Sequence, residues 1–93
     1  MELSALRNEI DRIDDQLVAL FVKRMGISAQ VAAYKSAHNL PILVPEREQA
    51  VLQAVAAKSG HELAEYTKAL YSTIFQLSRD YQKTILDGTE VIP

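Results

Sequence analysis

An apolar seam that alternates spacings of three and four residues constrains the fold of this chain more than any other feature. This spacing is the a/d pattern of a helix that packs along its whole length, so it predicts one helix over about residues 2–38. We call these ten positions the seam, and they are Leu3, Leu6, Ile10, Ile13, Leu17, Leu20, Arg24, Ile27, Val31 and Tyr34.

The predicted helix is too long for the rest of the chain to cover. About 36 residues span roughly 54 Å at 1.5 Å per residue. A compact domain of 93 residues, by contrast, has a radius of gyration of about 12–13 Å. We therefore expect much of the seam to pack on a second copy of the chain. A two-fold homodimer with the long helices side by side is the simplest closed arrangement.

The remaining sequence predicts two shorter helices, at about residues 45–58 and about residues 62–86, followed by a short polar tail. Pro45 suits the first turn of a helix, and Gly60 suits the end of one. We therefore expect a single all-α domain over residues 1–93, with three helices per chain. The apolar face expected for the third helix is Leu63, Tyr66, Leu70, Ile74, Leu77, Tyr81 and Ile85.

Composition argues against several classes of partner. The chain has no cysteine and a formal net charge of −2, so disulfides, thiolate metal sites and broad attraction to nucleic acid or membranes are not expected. Its two histidines lack a cluster of acids, so no metal site is predicted. Met1 leads directly into helical pattern, and no apolar run approaches the roughly 18 residues of a membrane span. We expect a cytoplasmic protein.

Arg24 is the one charged member of the seam, and a cation on a packing face is costly unless an anion pairs with it. Either another helix supplies a carboxylate or a bound anion does. Lys35 lies within about 20° of Arg24 around the helix and roughly 16–17 Å along it, so both side chains can reach a small anion between them. Arg7 lies about 25 Å from Arg24 and could serve this place only from the partner in an antiparallel pair. Alternatively, Arg7 and Lys35 are solvated cations and Arg24 extends its head group to water.

The two shorter helices carry further polar candidates. Arg47 and Glu48 lie in the first turn of the second helix, where an acid is also ordinary capping chemistry. Ser78 and Gln82 are four residues apart, so they share one face of the third helix beside its expected packing stripe. Arg79 has no assigned contact, and we expect it to face solvent.

Taken together, these residues resemble the all-helical class of chorismate mutases along nearly the whole chain. The matching segments are LRNEID at residues 6–11 with Ile13-Asp14, residues 17–24, Lys35, PERE at residues 45–48, and LSRDYQ at residues 77–82. Each segment alone is weak, but their order and spacing are jointly specific. The resemblance implies an intertwined dimer of three-helix chains whose active sites are built from both subunits.

The resemblance also implies roles for four cations. Arg7 resembles the arginine that crosses from the partner chain. Arg24 resembles the buried arginine that binds a substrate carboxylate. Lys35 resembles the lysine that contacts the enolpyruvyl carboxylate and the ether oxygen. Arg47 resembles the second-helix arginine that supports the carboxylate network.

The remaining implied substrate contacts are neutral or acidic. Glu48 resembles the acid that accepts from the ring hydroxyl. Ser78 resembles the hydroxyl at the ring carboxylate, and Gln82 the donor to the ether oxygen. Val44 departs from the family pattern, because some members have an aspartate there. If that position acts through its backbone N–H, valine is tolerated. If its side chain matters, recognition of the hydroxyl is weaker.

The implied activity is the rearrangement of chorismate, a dianion, to prephenate in phenylalanine and tyrosine biosynthesis. This unimolecular step needs no nucleophile, metal or cofactor, but it does need a compact conformer and charge stabilisation at the ether oxygen. Two alternatives are an isochorismate pyruvate lyase on the same scaffold and a non-catalytic helical dimerisation module. Glu48 and Ser78 favour the mutase over the lyase, and Arg24 with Lys35 argues against the module. Docking on another shikimate-pathway enzyme is left open.

Overall fold

Three helices make up most of residues 2–87, the part of the chain that the computed structural model describes. α1 spans Leu3–Ala37, α2 spans Pro45–Ser59 and α3 spans Ala64–Leu86, and no strand occurs among the described residues. The prediction of an all-α chain with three helices is confirmed. α3 begins two residues later than the sequence pattern indicated. The part of the expected polar tail that follows Asp87 lies outside the described residues.

α1 runs unbroken through Gly26 and ends in a tight turn centred on Asn39. Asn39 has a φ of 54°, in the left-handed region that asparagine tolerates better than most residues. The Leu40 N–H donates to the Lys35 carbonyl at 2.8 Å, and the Asn39 N–H donates to the Ser36 carbonyl at 3.4 Å. This is the hydrogen-bond pattern of a Schellman motif. The chain therefore reverses just after Lys35, and the connection to α2 returns past that residue.

α2 begins at Pro45, whose fixed φ and missing N–H suit the first helical position. The Val44 carbonyl accepts from the backbone N–H groups of Arg47 and Glu48, at 3.1 and 3.2 Å. These bonds start the helix and place both side chains in its first turn. Gly60 follows the last residue of α2 with a φ of 79°, a conformation that favours glycine.

α3 packs against both other helices, whereas α1 and α2 do not contact each other within residues 2–87. The chain measures 53 × 34 × 15 Å, so it is much thinner than it is long or wide. The three helices thus form one layer, although domains ordinarily bury apolar faces between two. The radius of gyration is 16.3 Å, well above the value of about 12–13 Å expected for a compact chain of this size.

This single layer leaves most of the apolar surface uncovered. Among the described residues, the buried apolar side chains are Ala32 and Phe75. Every apolar or aromatic member of the seam is exposed, with Leu17 at 56% and Leu20 at 64%. Within one chain, the apolar part of the seam is therefore open, and the buried residues of α1 are Ser28 and Ala32, which lie beside it.

The face of α3 that packs against α1 differs from the expected one. The expected apolar face includes Leu77 and Tyr81, and both are exposed in the chain. The buried residues of α3 are instead Phe75, Ser78 and Gln82. The expected apolar residues and the buried residues each repeat with the helical period. α3 therefore has an apolar face that is open and a second face, with apolar and polar residues, that is covered by α1.

α1 also contains a stretch that is long and apolar enough to cross a membrane by length and composition. The expectation that no segment approaches a membrane span is wrong in that sense. The stretch lies between Asp15 and Lys35 and carries the adjacent cations Lys23 and Arg24 near its middle, where charge is costly in a bilayer. The same apolar residues form the seam, whose spacing suits packing against another helix.

Candidate active site

A pocket of about 540 Å³ lies between α1, α3 and the start of α2. α1 lines it with Arg24, Ser28 and Lys35, which follow one another on one face of the helix. Apolar side chains such as Val31 and Phe75 form part of its wall. A polar stripe thus lies within an apolar cleft, the usual character of a site for a small ligand.

Seven of the eight residues predicted for the site line this pocket, namely Arg24, Lys35, Val44, Arg47, Glu48, Ser78 and Gln82. Arg7 does not line it. Arg7 is 17 residues before Arg24 on the continuous helix α1, about 25 Å away along the axis. The chain therefore assembles the predicted site from all three helices, but without Arg7.

Arg24 is half-buried against two aromatic rings of α3. Its guanidinium carbon lies 5.8 Å from the ring centroid of Tyr71 and 5.8 Å from that of Phe75. Both distances are within the range of cation–π attraction. No carboxylate lies within 4 Å of Arg24 in the described part of the chain. The rings hold the cation in place and leave its charge directed at the pocket without a counter-ion from these residues.

Lys35 is held at the opposite end of the polar stripe by the returning chain. Its Nζ donates to the Ile42 carbonyl at 2.8 Å. The Schellman turn at Asn39 makes this contact possible, because it brings residues 40–44 back past the end of α1. One of the three ammonium hydrogens is used in this bond, so two are left for oxygen atoms in the pocket.

Arg79 was expected to face solvent, and this prediction is wrong. It lines the pocket, and its Nη1 donates to Glu48 Oε2 in a partly buried ion pair between α3 and α2. Its Nη2 donates to Gln76 Oε1 at 2.9 Å, which fixes the guanidinium further. Sequence could not show the pair, because the two residues are 31 positions apart. The pocket walls thus carry four cations and one carboxylate, and the excess charge suits an anionic ligand.

Val44, the departure from the family pattern, lines the pocket at the residue that caps α2. Its side chain forms no capping hydrogen bond, as expected for valine. Its carbonyl starts the helix, while its N–H has no backbone acceptor among residues 2–87. The backbone N–H is thus the polar group that this position can offer to a ligand.

Ser28 lines the pocket although it was not among the predicted site residues. It is buried on α1, and its hydroxyl lies in hydrogen-bond contact with Ser78 Oγ. It also accepts from Gln82 Nε2 at 2.7 Å. The available signal was its spacing of four residues from Arg24 and seven from Lys35, which puts all three on one face. Burying an unpaired hydroxyl costs less free energy than burying an unpaired charge. The position of Ser28 on this face was therefore only a weak indication of a site residue.

A family model described as chorismate mutase type II matches residues 6–83, a range that contains every pocket residue named above. The chain belongs to the chorismate mutase type II family. The resemblance drawn from the sequence segments is confirmed.

Three relatives illustrate the similarity. A T-protein of Haemophilus influenzae is 52% identical over 52 residues, which cover 56% of this chain and 14% of that protein. A bifunctional chorismate mutase/prephenate dehydratase of Aquifex aeolicus is 43% identical over 54 residues, or 58% of this chain and 15% of that protein. A 4-amino-4-deoxychorismate mutase of Streptomyces venezuelae is 34% identical over 75 residues, or 78% of this chain and 73% of that protein.

The chain therefore matches only a small part of the length of the first two relatives. No solved structure matches it.

Proposed function

We propose that this chain catalyses the rearrangement of chorismate to prephenate. The observation that carries the proposal is the pocket of this chorismate mutase type II chain, where four cations and one carboxylate surround a cleft of about 540 Å³. In the reaction the ether C–O bond breaks while a C–C bond forms between the enolpyruvyl group and the ring. No atom leaves the substrate, so the protein acts by holding one conformer and stabilising developing charge.

The cations bind the two carboxylates of the substrate and thereby fix its conformer. Arg24 and Arg47 suit this task, since a planar guanidinium binds a carboxylate through two parallel hydrogen bonds. Lys35 contacts the enolpyruvyl carboxylate and the ether oxygen with the hydrogens that its bond to Ile42 leaves free.

The neutral and acidic groups contact the ether oxygen, the ring carboxylate and the ring hydroxyl. Gln82 donates to the ether oxygen, where negative charge grows as the bond breaks. Ser78 donates to the ring carboxylate. Glu48 accepts from the ring hydroxyl, and its Oε1 takes no donor from the described residues while Arg79 holds Oε2. Val44 contributes through its backbone N–H.

We infer that two copies form an intertwined homodimer and that each pocket is completed by the partner's Arg7. The exposed seam, the single-layer thickness of 15 Å and the distance of Arg7 from its own pocket support this arrangement. If the two α1 helices are antiparallel, placing Arg7 of the partner subunit opposite Ser28 puts the two-fold axis near Leu17 and Val18. Both side chains are more than half exposed, as a central dimer contact requires in a single chain.

The chain is proposed to act as one cytoplasmic domain with no cofactor. Its relative in Aquifex aeolicus, named a bifunctional chorismate mutase/prephenate dehydratase, supports a setting in which an adjacent enzyme consumes the product. Docking on such an enzyme is part of the proposal.

The test is to add chorismate, isochorismate and 4-amino-4-deoxychorismate in separate assays and to follow loss of substrate and release of pyruvate. We expect chorismate to be converted to prephenate at a rate that depends on Arg24, without pyruvate release. Pyruvate released from isochorismate, with chorismate untouched, would identify a lyase instead. Faster turnover of the 4-amino compound than of chorismate would overturn the proposed substrate.

A further inference from the structure

Three polar side chains form a closed cluster between α1 and α3, at the edge of the pocket. Ser28, Ser78 and Gln82 are each at least 93% buried, with exposed fractions of 6%, 7% and 7%. Gln82 Nε2 donates to Ser28 Oγ at 2.7 Å and makes a longer contact of 3.4 Å with Ser78 Oγ. The two serine hydroxyls contact each other directly. Ser28 is thus the best-placed partner of both other residues.

The Gln82 amide is held through its nitrogen end alone. Its Oε1 is buried and has no hydrogen-bond partner among the described residues. The 3.4 Å contact to Ser78 is at the long limit for a hydrogen bond, so the bond to Ser28 is what fixes the orientation of the amide. Without it, little would prevent the terminal amide from turning about its last torsion, which is intrinsically soft.

The contacts allow one continuous order of donation through the cluster. Ser28 Oγ accepts from Gln82, either serine can donate in the contact between the two hydroxyls, and the proposal takes Ser28 as the donor to Ser78. Ser78 then keeps its hydroxyl hydrogen free for an acceptor in the pocket, which it lines. Donation thus runs from Gln82 through Ser28 to Ser78, and each bond in such a chain polarises the next.

We propose that Ser28 is a positioning residue of this site: it orients the Gln82 amide and directs the hydroxyl hydrogen of Ser78 into the pocket. The inference rests on the proposed function in so far as Gln82 and Ser78 contact the substrate. The side chain at position 28 must be small because α1 and α3 approach each other closely there. Ala32, on the next turn of the same face of α1, is fully buried.

The experiment compares Ser28→Ala with Ser72→Ala, an exposed serine of α3 that does not line the pocket. Alanine retains helix propensity and fills nearly the same volume, so Ser28→Ala should fold, as circular dichroism would verify. We expect kcat for chorismate to fall on the order of 10-fold in Ser28→Ala, with KM changed less than about twofold, since the hydrogen bonds lost are not made to the substrate. Ser72→Ala should match the parent protein. Ser28→Cys preserves size but donates and accepts weakly, so it should resemble Ser28→Ala.

A double-mutant comparison separates positioning from packing. In a Gln82→Ala background, Ser28→Ala should lower kcat by less than about threefold, because one of its two partners is already gone. A loss that is the same in both backgrounds would overturn the proposal, as would an unchanged kcat in folded Ser28→Ala.

A readout without substrate keeps this inference distinct from the proposed activity. The side-chain amide resonances of Gln82, identified by their absence in Gln82→Ala, should show slow hydrogen exchange in the parent protein. In Ser28→Ala they should exchange as fast as those of exposed glutamines. If chorismate is not converted at all, the proposed function fails, but the amide result still decides whether Ser28 orients Gln82. Amide exchange that is identical in both proteins would refute the role of Ser28.

Discussion

Mixing Arg7→Ala chains with Lys35→Ala chains should restore an activity that neither variant has alone. Arg7 lies about 25 Å along α1 from Arg24, too far for its side chain to reach the pocket of its own chain. If it serves the partner's pocket, a heterodimer of the two variants has one pocket with both defects and one with none.

The size of the recovery follows from random exchange of subunits. At equal mixing, half of the dimers are heterodimers and each has one intact pocket, so activity should approach a quarter of the parent value. The assay follows chorismate loss before and after exchange. Exchange itself is verified by mass spectrometry of the dimers, using one variant labelled with a heavy isotope.

A control mixture combines Lys35→Ala with Arg24→Ala, two residues that line the same pocket of one chain. These defects then fall in different pockets of the heterodimer, each pocket keeps one defect, and no activity should return. Verified exchange of Arg7→Ala with Lys35→Ala that also restores nothing would contradict the crossed assignment of Arg7, and with it the antiparallel packing of α1.

Four further outcomes are expected. Arg24→Ala should reduce kcat/KM on the order of 10²-fold, because it removes a preorganised charged donor, whereas Lys68→Ala at an exposed ion pair of α3 should change it little; similar rates for the two folded variants would reject the role of Arg24. Arg79→Ala should raise KM and cost less than Arg24→Ala, because it releases Glu48 without removing it; a loss as large as that of Arg24→Ala would make Arg79 a direct substrate contact. Ala32→Leu should destabilise the fold by about 1–3 kcal/mol through overpacking against α3, measured as a lower midpoint of denaturation, and an unchanged midpoint would contradict the close packing seen there. Sedimentation at micromolar concentration should give twice the chain mass of 10.4 kDa, and a folded monomer would refute the dimer.

Much of the fold could be predicted because the apolar spacing of the seam continues without a break along α1. The seam keeps its phase through Gly26, and a single glycine costs only about 1 kcal/mol relative to alanine, so the long helix was the clear interpretation. Pro45 and Gly60 mark the limits of α2 for reasons of local backbone chemistry. These features depend on neighbours in sequence and need no knowledge of tertiary contacts.

The contacts between α1 and α3 could not be predicted in the same way. Both faces of α3 repeat with the helical period, and periodicity does not tell which face packs on the same chain and which stays open. The pairing of Glu48 with Arg79 depends on how α2 is placed against α3. Ser28 could not be predicted as a site residue, because an uncharged side chain on a packing face does not by itself indicate a ligand.

The small apolar core of a single chain has a consequence for how the protein folds. With Ala32 and Phe75 as the buried apolar residues of the described chain, little free energy of folding comes from within a single copy. In the proposed homodimer, folding and association would then be one event, and the midpoint of thermal unfolding would rise with protein concentration. A newly synthesised chain would have to associate with a second copy before its exposed apolar surface led to aggregation. The yield of folded protein would therefore depend on the concentration of new chains, and so on the rate of synthesis.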